Sequence, residues 1–210
     1  PGGGTVRVVS PWGHDYSASV IAREEAGTPD VVGNIRAALC FLVKDALGAA
    51  FMAERNQALY QRAYACWHAN PHLELLGNAQ AKQHLPIFSF RVTDSEGNRI
   101  HHQLFTRMLS DLYGIQARGG CACAGPYAHR LLALGEAESM QMHEAIRAGQ
   151  EVEKPGWVRL NFSVLMDDSK VDYILNAVNE LAENAASLAR SYVCDVATAR
   201  FRYQESLAAE

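Results

Sequence analysis

The hydrophobic residues in the first third of the chain recur mainly at helical spacing. Apolar side chains from Ile35 to Ala46 follow a period of three to four residues, which predicts a helix that ends at Gly48. A second helix is predicted from Ala53 to His68, because the pair Asn70-Pro71 that follows breaks helices. The first part of the chain is therefore expected to be largely helical.

Beyond residue 71 the period changes, and short strands alternate with helices. The clearest strand is Trp157 to Val164, in which apolar residues alternate with Arg159, Asn161 and Ser163. One face of this strand is expected to pack in a core, while the other displays an arginine, an amide and a hydroxyl. Similar patterns predict strands at Leu73–Leu76, Pro86–Val92 and Ile115–Arg118, and helices at His101–Leu112, Tyr127–Leu132, residues 135–149 and onward from the N-cap candidates Asp167 to Ser169.

This order of elements predicts an α/β fold in which helices pack on a small sheet. Residues 1–50 stand apart, since a predicted strand, Val6 to Val9, is followed by a polar and irregular segment. Pro29 disfavours helix at Thr28, so Thr28 is expected to present its hydroxyl and amide from an extended or turn backbone. We assign residues 1–50 to the end of one domain and residues 51–210 to a second. The start at Pro1 suggests a piece of a longer protein.

Composition excludes several classes of function. The chain has 210 residues, 49% hydrophobic and 20% charged, with a formal net charge of −4, which gives no electrostatic case for nucleic-acid binding. No apolar run is long enough to span a bilayer, and no signal-peptide pattern is present, so no membrane association is expected. The odd number of cysteines predicts reduced thiols and a cytoplasmic protein. These cysteines are Cys40, Cys66, Cys121, Cys123 and Cys194.

The segment from residue 117 to residue 126 is the strongest candidate for chemistry. It places glycines, Cys121, Cys123 and Arg118, an arginine expected to be buried, on a turn between a strand and a helix. A cysteine just ahead of a helix can have a lowered pKa, and Arg118 would lower it further. The alternative is a small buried thiol that only fills space. The sequence alone leaves both interpretations open.

Two other groups of residues have competing interpretations. Cys121 and Cys123 are one residue apart, which is poor spacing for zinc, although His129, His101 or His102 could complete a metal site. Arg159, on the polar face of its strand, could hold a substrate carboxylate bidentately or form a surface salt bridge.

Several motifs together resemble the class V aminotransferase family, in its cysteine desulfurase and selenocysteine lyase branch. The run from Arg118 through Cys123 to Pro126 resembles that branch's arginine-x-glycine-x-x-cysteine-alanine-x-proline segment. Gly2-Gly3-Gly4 is similar to the family's glycine loop, and Glu25 to Pro29 to its "EAGTP" segment. Two further matches follow in the same order, from His101-His102 to Ile115 and from Val158 to Asn161.

The resemblance implies a fold, a cofactor and a role for each matching residue. It implies a small, mostly antiparallel sheet with helices packed on it, preceded by a remnant of the large domain that binds pyridoxal phosphate. Cys123 falls on the nucleophile that takes sulfur from cysteine as a persulfide, and Arg159 on the arginine that holds the substrate carboxylate, with support from Arg118. Thr28, beside Gly27, falls on the threonine that reaches the pyridoxal phosphate of the partner subunit in a homodimer. A sulfur-acceptor protein is implied as a partner.

Two departures from the family pattern widen the alternatives. None of the lysines fits the cofactor-binding lysine, so we expect that residue outside these 210 residues and this chain alone to be inactive. The connection between Cys123 and Arg159 is longer than in the family and carries a helix, Glu136 to Arg147. An aminotransferase, or a lyase or epimerase acting on another amino acid, would keep Arg159 and Thr28 without using Cys123. A non-catalytic dimerisation domain and a metal-binding module are the alternatives from other classes.

Overall fold

The computed structural model describes residues 2–121 and 125–204, and it divides the chain into two compact units, residues 1–52 and residues 53–210. The first unit contains a two-stranded antiparallel hairpin, β1 (Val6–Ser10) with β2 (Gly13–Tyr16), followed by helices α1 (Val20–Glu24) and α2 (Val31–Leu47). The predicted first strand is confirmed. The expectation of an irregular segment over residues 10–30 is wrong, since β2 and α1 lie within it.

Helix α2 ends at Gly48 as its sequence predicts, and it begins at Val31, four residues before the first predicted apolar position, Ile35. The Asp30 carboxylate accepts a hydrogen bond from the Gly33 amide at 2.8 Å, which caps the amino terminus. At the other end, Gly48 has a φ of 77°, and its amide donates to the Lys44 carbonyl at 3.1 Å. A residue with a side chain would be strained there, so Gly48 stops the helix.

The second unit is built on a five-stranded antiparallel sheet with strand order β3-β4-β7-β6, in which β5 also pairs with β4. The predicted small antiparallel sheet with helices packed on it is confirmed. A separate antiparallel hairpin, β8 with β9, follows the last helix. The elements in chain order are α3 (Ala49–His68), β3 (Leu73–Leu76), β4 (Ile87–Thr93), β5 (Arg99–Ile100), α4 (His102–Tyr113), β6 (Arg118–Gly120), α5 (Gly125–Leu131), α6 (Glu136–Arg147), a 3-10 turn (Glu151–Glu153), β7 (Trp157–Asn161), α7 (Asp168–Ala189), β8 (Tyr192–Asp195) and β9 (Arg200–Tyr203).

The main core lies between one face of this sheet and helices α3, α4 and α7. Strand β4 sends Phe88, Phe90 and Val92 into it, and β7 sends Val158 and Leu160. These residues are at most 7% exposed, as the period-two pattern predicts. The helices contribute buried side chains that include Trp67, Phe105, Met108, Val171, Val178 and Leu181.

A pair of side-chain amides, with Asn70 buried and Asn179 half-buried, joins the end of α3 to the middle of α7. The Asn70 side chain donates to the Asn179 side-chain oxygen at 3.0 Å, and the Asn179 nitrogen donates to the Cys66 sulfur at 3.2 Å. Asn70 is 7% exposed, and its own side-chain oxygen accepts the His72 amide at 2.9 Å. Buried polar groups need such partners, so the pair fixes how the two helices pack.

The opposite face of the sheet carries a smaller apolar cluster. Trp157 at the start of β7 packs with Ala128 and Leu132 of the α5 segment, and all three are at most 5% exposed. The connection between β6 and β7 therefore folds back over part of this face. Most other positions of this face are polar, although Ile87 of β4 is apolar and 50% exposed.

Strand β6 is displaced from its predicted position. The expected strand over Ile115–Arg118 is wrong, because the amide of Ile115 bonds to the Leu109 carbonyl at 3.1 Å and belongs to the carboxy-terminal cap of α4. Gly114 adopts the left-handed conformation at this cap. Ile115 is buried as part of the helix cap rather than as part of a strand, and the strand starts only at Arg118.

Candidate functional site

Two arginines lie directly opposite each other on the polar face of the sheet. Strands β6 and β7 are antiparallel, with Arg118 in register with Arg159, and on the other side of β7 Arg159 is in register with Ser89 of β4. Cross-strand partners share a face, with Cβ atoms about 4.5–5.5 Å apart. Ser89, Arg159 and Arg118 therefore form one row across three strands, which we call the arginine row.

Neither guanidinium in this row is paired within the described part of the chain. No hydrogen bond or ion pair joins Arg118 or Arg159 to any described residue. Arg159 is half-buried and Arg118 is exposed, so the expectation that Arg118 is buried is wrong. Like charges directly opposite each other on a sheet are destabilising. An anion shared between the two guanidiniums would remove that repulsion, and a carboxylate has the geometry to do so.

Strand β6 is held closely by its neighbours after Arg118. A Cβ added at Gly119 would lie 3.0 Å from the Gln103 side-chain oxygen and 3.0 Å from the His102 carbonyl. One added at Gly156 would lie 2.7 Å from the Gly120 Cα and 2.7 Å from His102 Cε1. The Gln103 amide also donates to the Gly119 carbonyl at 3.2 Å. Glycine is therefore needed at these positions. The strand is thus held against α4 up to the point where the cysteine segment (residues 121–124) begins.

The adjacent histidines are held in their neutral forms. His101 caps α4: its Nδ1 accepts the Gln103 amide at 3.2 Å, and its Nε2 donates to the Val152 carbonyl at 3.0 Å. Burial lowers the pKa of His101. The pKa of His102 is lowered to about 4, first by burial and then by the charge of His101. The doublet therefore contributes a neutral packing surface beneath β6.

Cys123 lies outside the described residues, and Cys121 before it is exposed. Helix α5 begins at Gly125, two positions after Cys123. The cysteine segment thus lies between β6, which carries Arg118, and α5. Among the other thiols, Cys194 has its pKa raised by burial and then by the Asp195 charge.

Helices α5 and α6 form the long connection between the cysteine segment and β7. His129 Nδ1 donates to the Gly125 carbonyl at 2.9 Å, which leaves Nε2 to accept the Ser139 hydroxyl at 2.8 Å. This histidine therefore ties the start of α5 to α6. The predicted helix over residues 135–149 is confirmed as α6, which begins one residue after Gly135.

In the first unit, Thr28 follows a glycine that the backbone requires. Gly27 has a φ of 83°, and its amide donates to the Gly3 carbonyl at 2.7 Å. Thr28 is exposed, and neither its hydroxyl nor its amide bonds to another described residue. Two free donors beside a glycine turn fit an anionic phosphate group. Thr28 and Gly27 belong to a different unit from Arg159 and Arg118.

The lysines of the chain do not suit covalent attachment of a cofactor. Lys44 and Lys170 lie on helices and Lys82 lies in the connection between β3 and β4, and all three are exposed. Lys154 follows the 3-10 turn and forms an ion pair with Glu151. None of the four lysines is therefore suited to covalent attachment.

Within residues 2–121 and 125–204, no three of the histidine, cysteine, aspartate and glutamate side chains lie close enough together to hold a metal ion. The described part of the chain also contains no helix with both the length and the apolarity needed to cross a bilayer.

Sequence reasoning missed the residues that surround the arginine row. Ser89 could have been found, because the alternation of β4 places it on the face opposite Phe88 and Phe90. The contacts of Gly156 and Gln103 with β6 could not, because they depend on which strands pair. Only the structure shows that β6 and β7 are neighbours.

Comparisons with known proteins agree with this arrangement. The family model described as aminotransferase class V matches residues 1–174. The chain is similar to the structure of a cysteine desulfurase from Thermococcus onnurineus NA1, with 25% identity and a TM-score of 0.65 over 87% of this chain. It also shares its fold with the cysteine desulfurase CsdA from Escherichia coli, with 24% identity and a TM-score of 0.57 over 86% of this chain.

The matched region is a minor part of both solved proteins. The chain covers 38% of the Thermococcus protein and 37% of the Escherichia coli protein. No curated protein matches the chain.

Proposed function

This chain belongs to the class V aminotransferase family, and from that premise we propose that it is the carboxy-terminal part of a pyridoxal-phosphate enzyme that removes sulfur from L-cysteine. The observation that carries the proposal is the pair Arg118 and Arg159, which lie opposite each other on neighbouring strands without a described partner. Arg118 is on β6, the strand that leads to the cysteines. In this proposal residues 1–50 are the end of the large cofactor-binding domain and residues 51–210 the small domain. The protein works as a cytoplasmic homodimer.

Arg159 binds the α-carboxylate of the substrate. Its guanidinium stands on a strand between two others, which fixes its position, and a bidentate contact would orient the amino acid. Arg118, directly across, adds a second positive charge to the same anion. Ser89, the next residue in the row, is placed to donate a hydroxyl hydrogen bond. The carboxylate would relieve the repulsion between the two arginines.

Cys123 is the sulfur-accepting residue in this proposal. Its thiolate attacks the substrate sulfur, the carbon–sulfur bond breaks, and the sulfur stays on Cys123 as a persulfide while the carbon skeleton leaves as alanine after protonation. Pyridoxal phosphate, when bound, supplies the electron-withdrawing system that stabilises negative charge on the substrate. The close packing of Gly119 and Gly120 against α4 holds the near end of the cysteine segment beside Arg118.

Thr28 and Gly27 hold the cofactor phosphate of the partner subunit. The free hydroxyl and amide of Thr28 provide the donors, and Gly27 permits the turn that exposes them. The lysine that binds the cofactor covalently lies in a part of the protein outside these 210 residues. This chain by itself is therefore proposed to be inactive, and a tightly bound cofactor that copurifies with it would contradict this.

The test compares Cys123→Ala with Cys121→Ala in the full-length protein, measuring alanine and sulfide released from L-cysteine. We expect Cys123→Ala to reduce turnover by a factor of about a thousand, because the nucleophile is lost, and Cys121→Ala by less than about threefold. Equal turnover in both variants would contradict the role of Cys123.

The long connection formed by α5 and α6 favours a second candidate function. Because it follows the cysteine segment directly, it is compatible with an aminotransferase, or a lyase or epimerase, that uses Arg159 and Thr28 but not Cys123. Such an enzyme would keep its activity toward another amino acid in Cys123→Ala and lose it in Arg159→Ala.

A further inference from the structure

A wide polar groove runs between helix α4 and the carboxy-terminal hairpin. It has a volume of about 710 Å³. Its floor is the face of α4 that carries Thr106, Arg107 and Ser110, one wall is Gln116 with Ala117, and the other wall is the stretch from Thr198 to Arg202. We call it the arginine groove. Its second wall lies beyond residue 174, where the family match ends.

The hairpin wall is fixed to α4. Phe201 of β9 packs against the main core, with its ring 5.2 Å from that of His101. The Tyr192 hydroxyl donates to the Asp111 carboxylate at 3.2 Å. These contacts anchor the hairpin from one side, while Arg200 and Arg202, both exposed, line the groove.

The groove has more positive than negative charge available to a partner. Arg107 is paired with Asp111, with 2.7 Å between Nε and Oδ2. Arg200 and Arg202 pair with no described residue, although Asp195 lies opposite Arg200 in the hairpin. The side chains of Ser110, Gln116 and Thr198 also make no hydrogen bond to a described residue. This excess occurs in a chain whose net charge is −4.

The groove lies next to the cysteine segment in the sequence. Ala117, in its first wall, is followed at once by Arg118 and β6, and Cys123 comes six residues after Ala117. Extended backbone covers about 3.5 Å per residue, so the chain between them spans at most about 21 Å. Strand β6 is at the edge of the sheet, which leaves that side open to an approaching chain.

We propose that the arginine groove is a docking surface for an acidic segment of a protein that accepts sulfur from Cys123. Complementary charge favours this occupant: carboxylates on an extended segment would pair with Arg200 and Arg202, and the polar side chains would satisfy its backbone. The inference rests on the proposed desulfurase function. A surface rich in charge and unpaired donors attracts an acidic partner mainly through association rate and orientation.

The test uses a fluorescein-labelled peptide of alternating glutamate and alanine, with fluorescence anisotropy as the readout. The double variant Arg200→Glu with Arg202→Glu should bind it at least about tenfold more weakly than the unchanged chain, because each reversed charge replaces an attraction by a repulsion. The control is Arg147→Glu at the end of α6, which reverses one exposed charge outside the groove. It should alter binding by less than about twofold. Raising the salt from about 0.05 M to about 0.5 M should weaken binding of the unchanged chain.

Equal binding by the double variant and the unchanged chain would overturn the proposal. So would tighter binding of a single-stranded DNA oligomer of the same charge, if that binding also depended on Arg200 and Arg202. In the full-length protein, sulfide release with dithiothreitol as the acceptor should be unchanged by the double variant and abolished by Cys123→Ala. Equal peptide binding by the double variant, with sulfide release abolished by Cys123→Ala, would mean that the docking surface fails while the proposed function holds. Sulfide release that survives Cys123→Ala would mean that the proposed function fails.

Discussion

The two faces of the five-stranded sheet differ in what they do. One face is covered by α3, α4 and α7 and carries the main core, in which Phe90 and Val158 are at most 1% exposed. The other carries the row of Ser89, Arg159 and Arg118, and only the small cluster around Trp157 is covered there. The same strands build both faces through alternation, so residues one position apart lie either in the core or on the polar face.

The largest effect is expected from the core face. Phe90→Ala should lower the free energy of unfolding by about 3–5 kcal/mol, because it removes a fully buried ring and leaves a cavity beside Trp67. The matched control is Ser89→Ala, one residue earlier and on the other face, which should change it by less than about 0.5 kcal/mol. Urea denaturation in a Trp12→Phe background, followed by the combined fluorescence of the buried Trp67 and Trp157, measures both. A similar decrease in the free energy of unfolding for both variants would contradict the assignment of Phe90 to the core face and Ser89 to the polar face.

The next effect is expected where β6 meets β7. Gly156→Ala should destabilise the second unit by roughly 1–3 kcal/mol, because the added methyl group would lie 2.7 Å from the Gly120 backbone. The same change should alter the alkylation rate of the thiols after Gly120, since the cysteine segment begins there. Gly149→Ala is a poor control because its φ is 86°, whereas Gly13→Ala meets nothing within 4 Å and should leave both measurements unchanged.

The neutral histidines beneath β6 predict a dependence on pH. His102 has a pKa of about 4 in the folded chain and about 6.5 when unfolded, so the folded state binds fewer protons. The free energy of unfolding is therefore highest above about pH 6.5, the pKa of the unfolded state. It falls as the pH drops from there toward about 4, the pKa of His102 in the folded state. Between about pH 7.5 and about pH 5 the expected loss is about 2 kcal/mol. His102→Phe should remove most of this loss in paired urea titrations, and an unchanged pH dependence would contradict it.

The smallest effect is expected from the arginine row. Arg159→Ala should leave the free energy of unfolding unchanged or raise it by up to about 1 kcal/mol, since it removes the repulsion with Arg118. Arg118→Ala should have the same effect. The double variant should raise the free energy of unfolding by no more than either single variant does. The gain should shrink at high salt. A loss above about 1 kcal/mol in Arg159→Ala would mean that the arginine supports the fold.

Much of the fold could be predicted because local signals agreed with the tertiary contacts. Strand β3 and the start of β7 lie where the pattern predicts them. Asp167 caps α7, since its carboxylate accepts the Lys170 amide at 2.8 Å. Strand β7 ends at Asn161 rather than Val164, and Phe162 after it is still buried. Alternation therefore reported which residues are buried, while hydrogen bonding between strands decided where the strand ends.

The candidate site could be predicted only in part. Alternation placed Arg159 on a polar face, but nothing local indicates that Arg118 lies opposite it, because this requires β6 to pair with β7 across the long connection. Helix α1 was missed since its five residues carry little pattern, although Ser19 caps it. The hairpin β8–β9 was missed for the same reason, and with it Arg200 and Arg202.

The amide pair of Asn70 and Asn179 has a practical consequence for anyone who shortens this protein. The family match stops at residue 174, inside α7, so trimming at that border would sever a helix whose remaining half includes Leu175, Val178 and Leu181. It would also remove the Asn179 side-chain oxygen that accepts a hydrogen bond from the Asn70 amide. A usable expression boundary must therefore lie past Ala189, where the helix is complete.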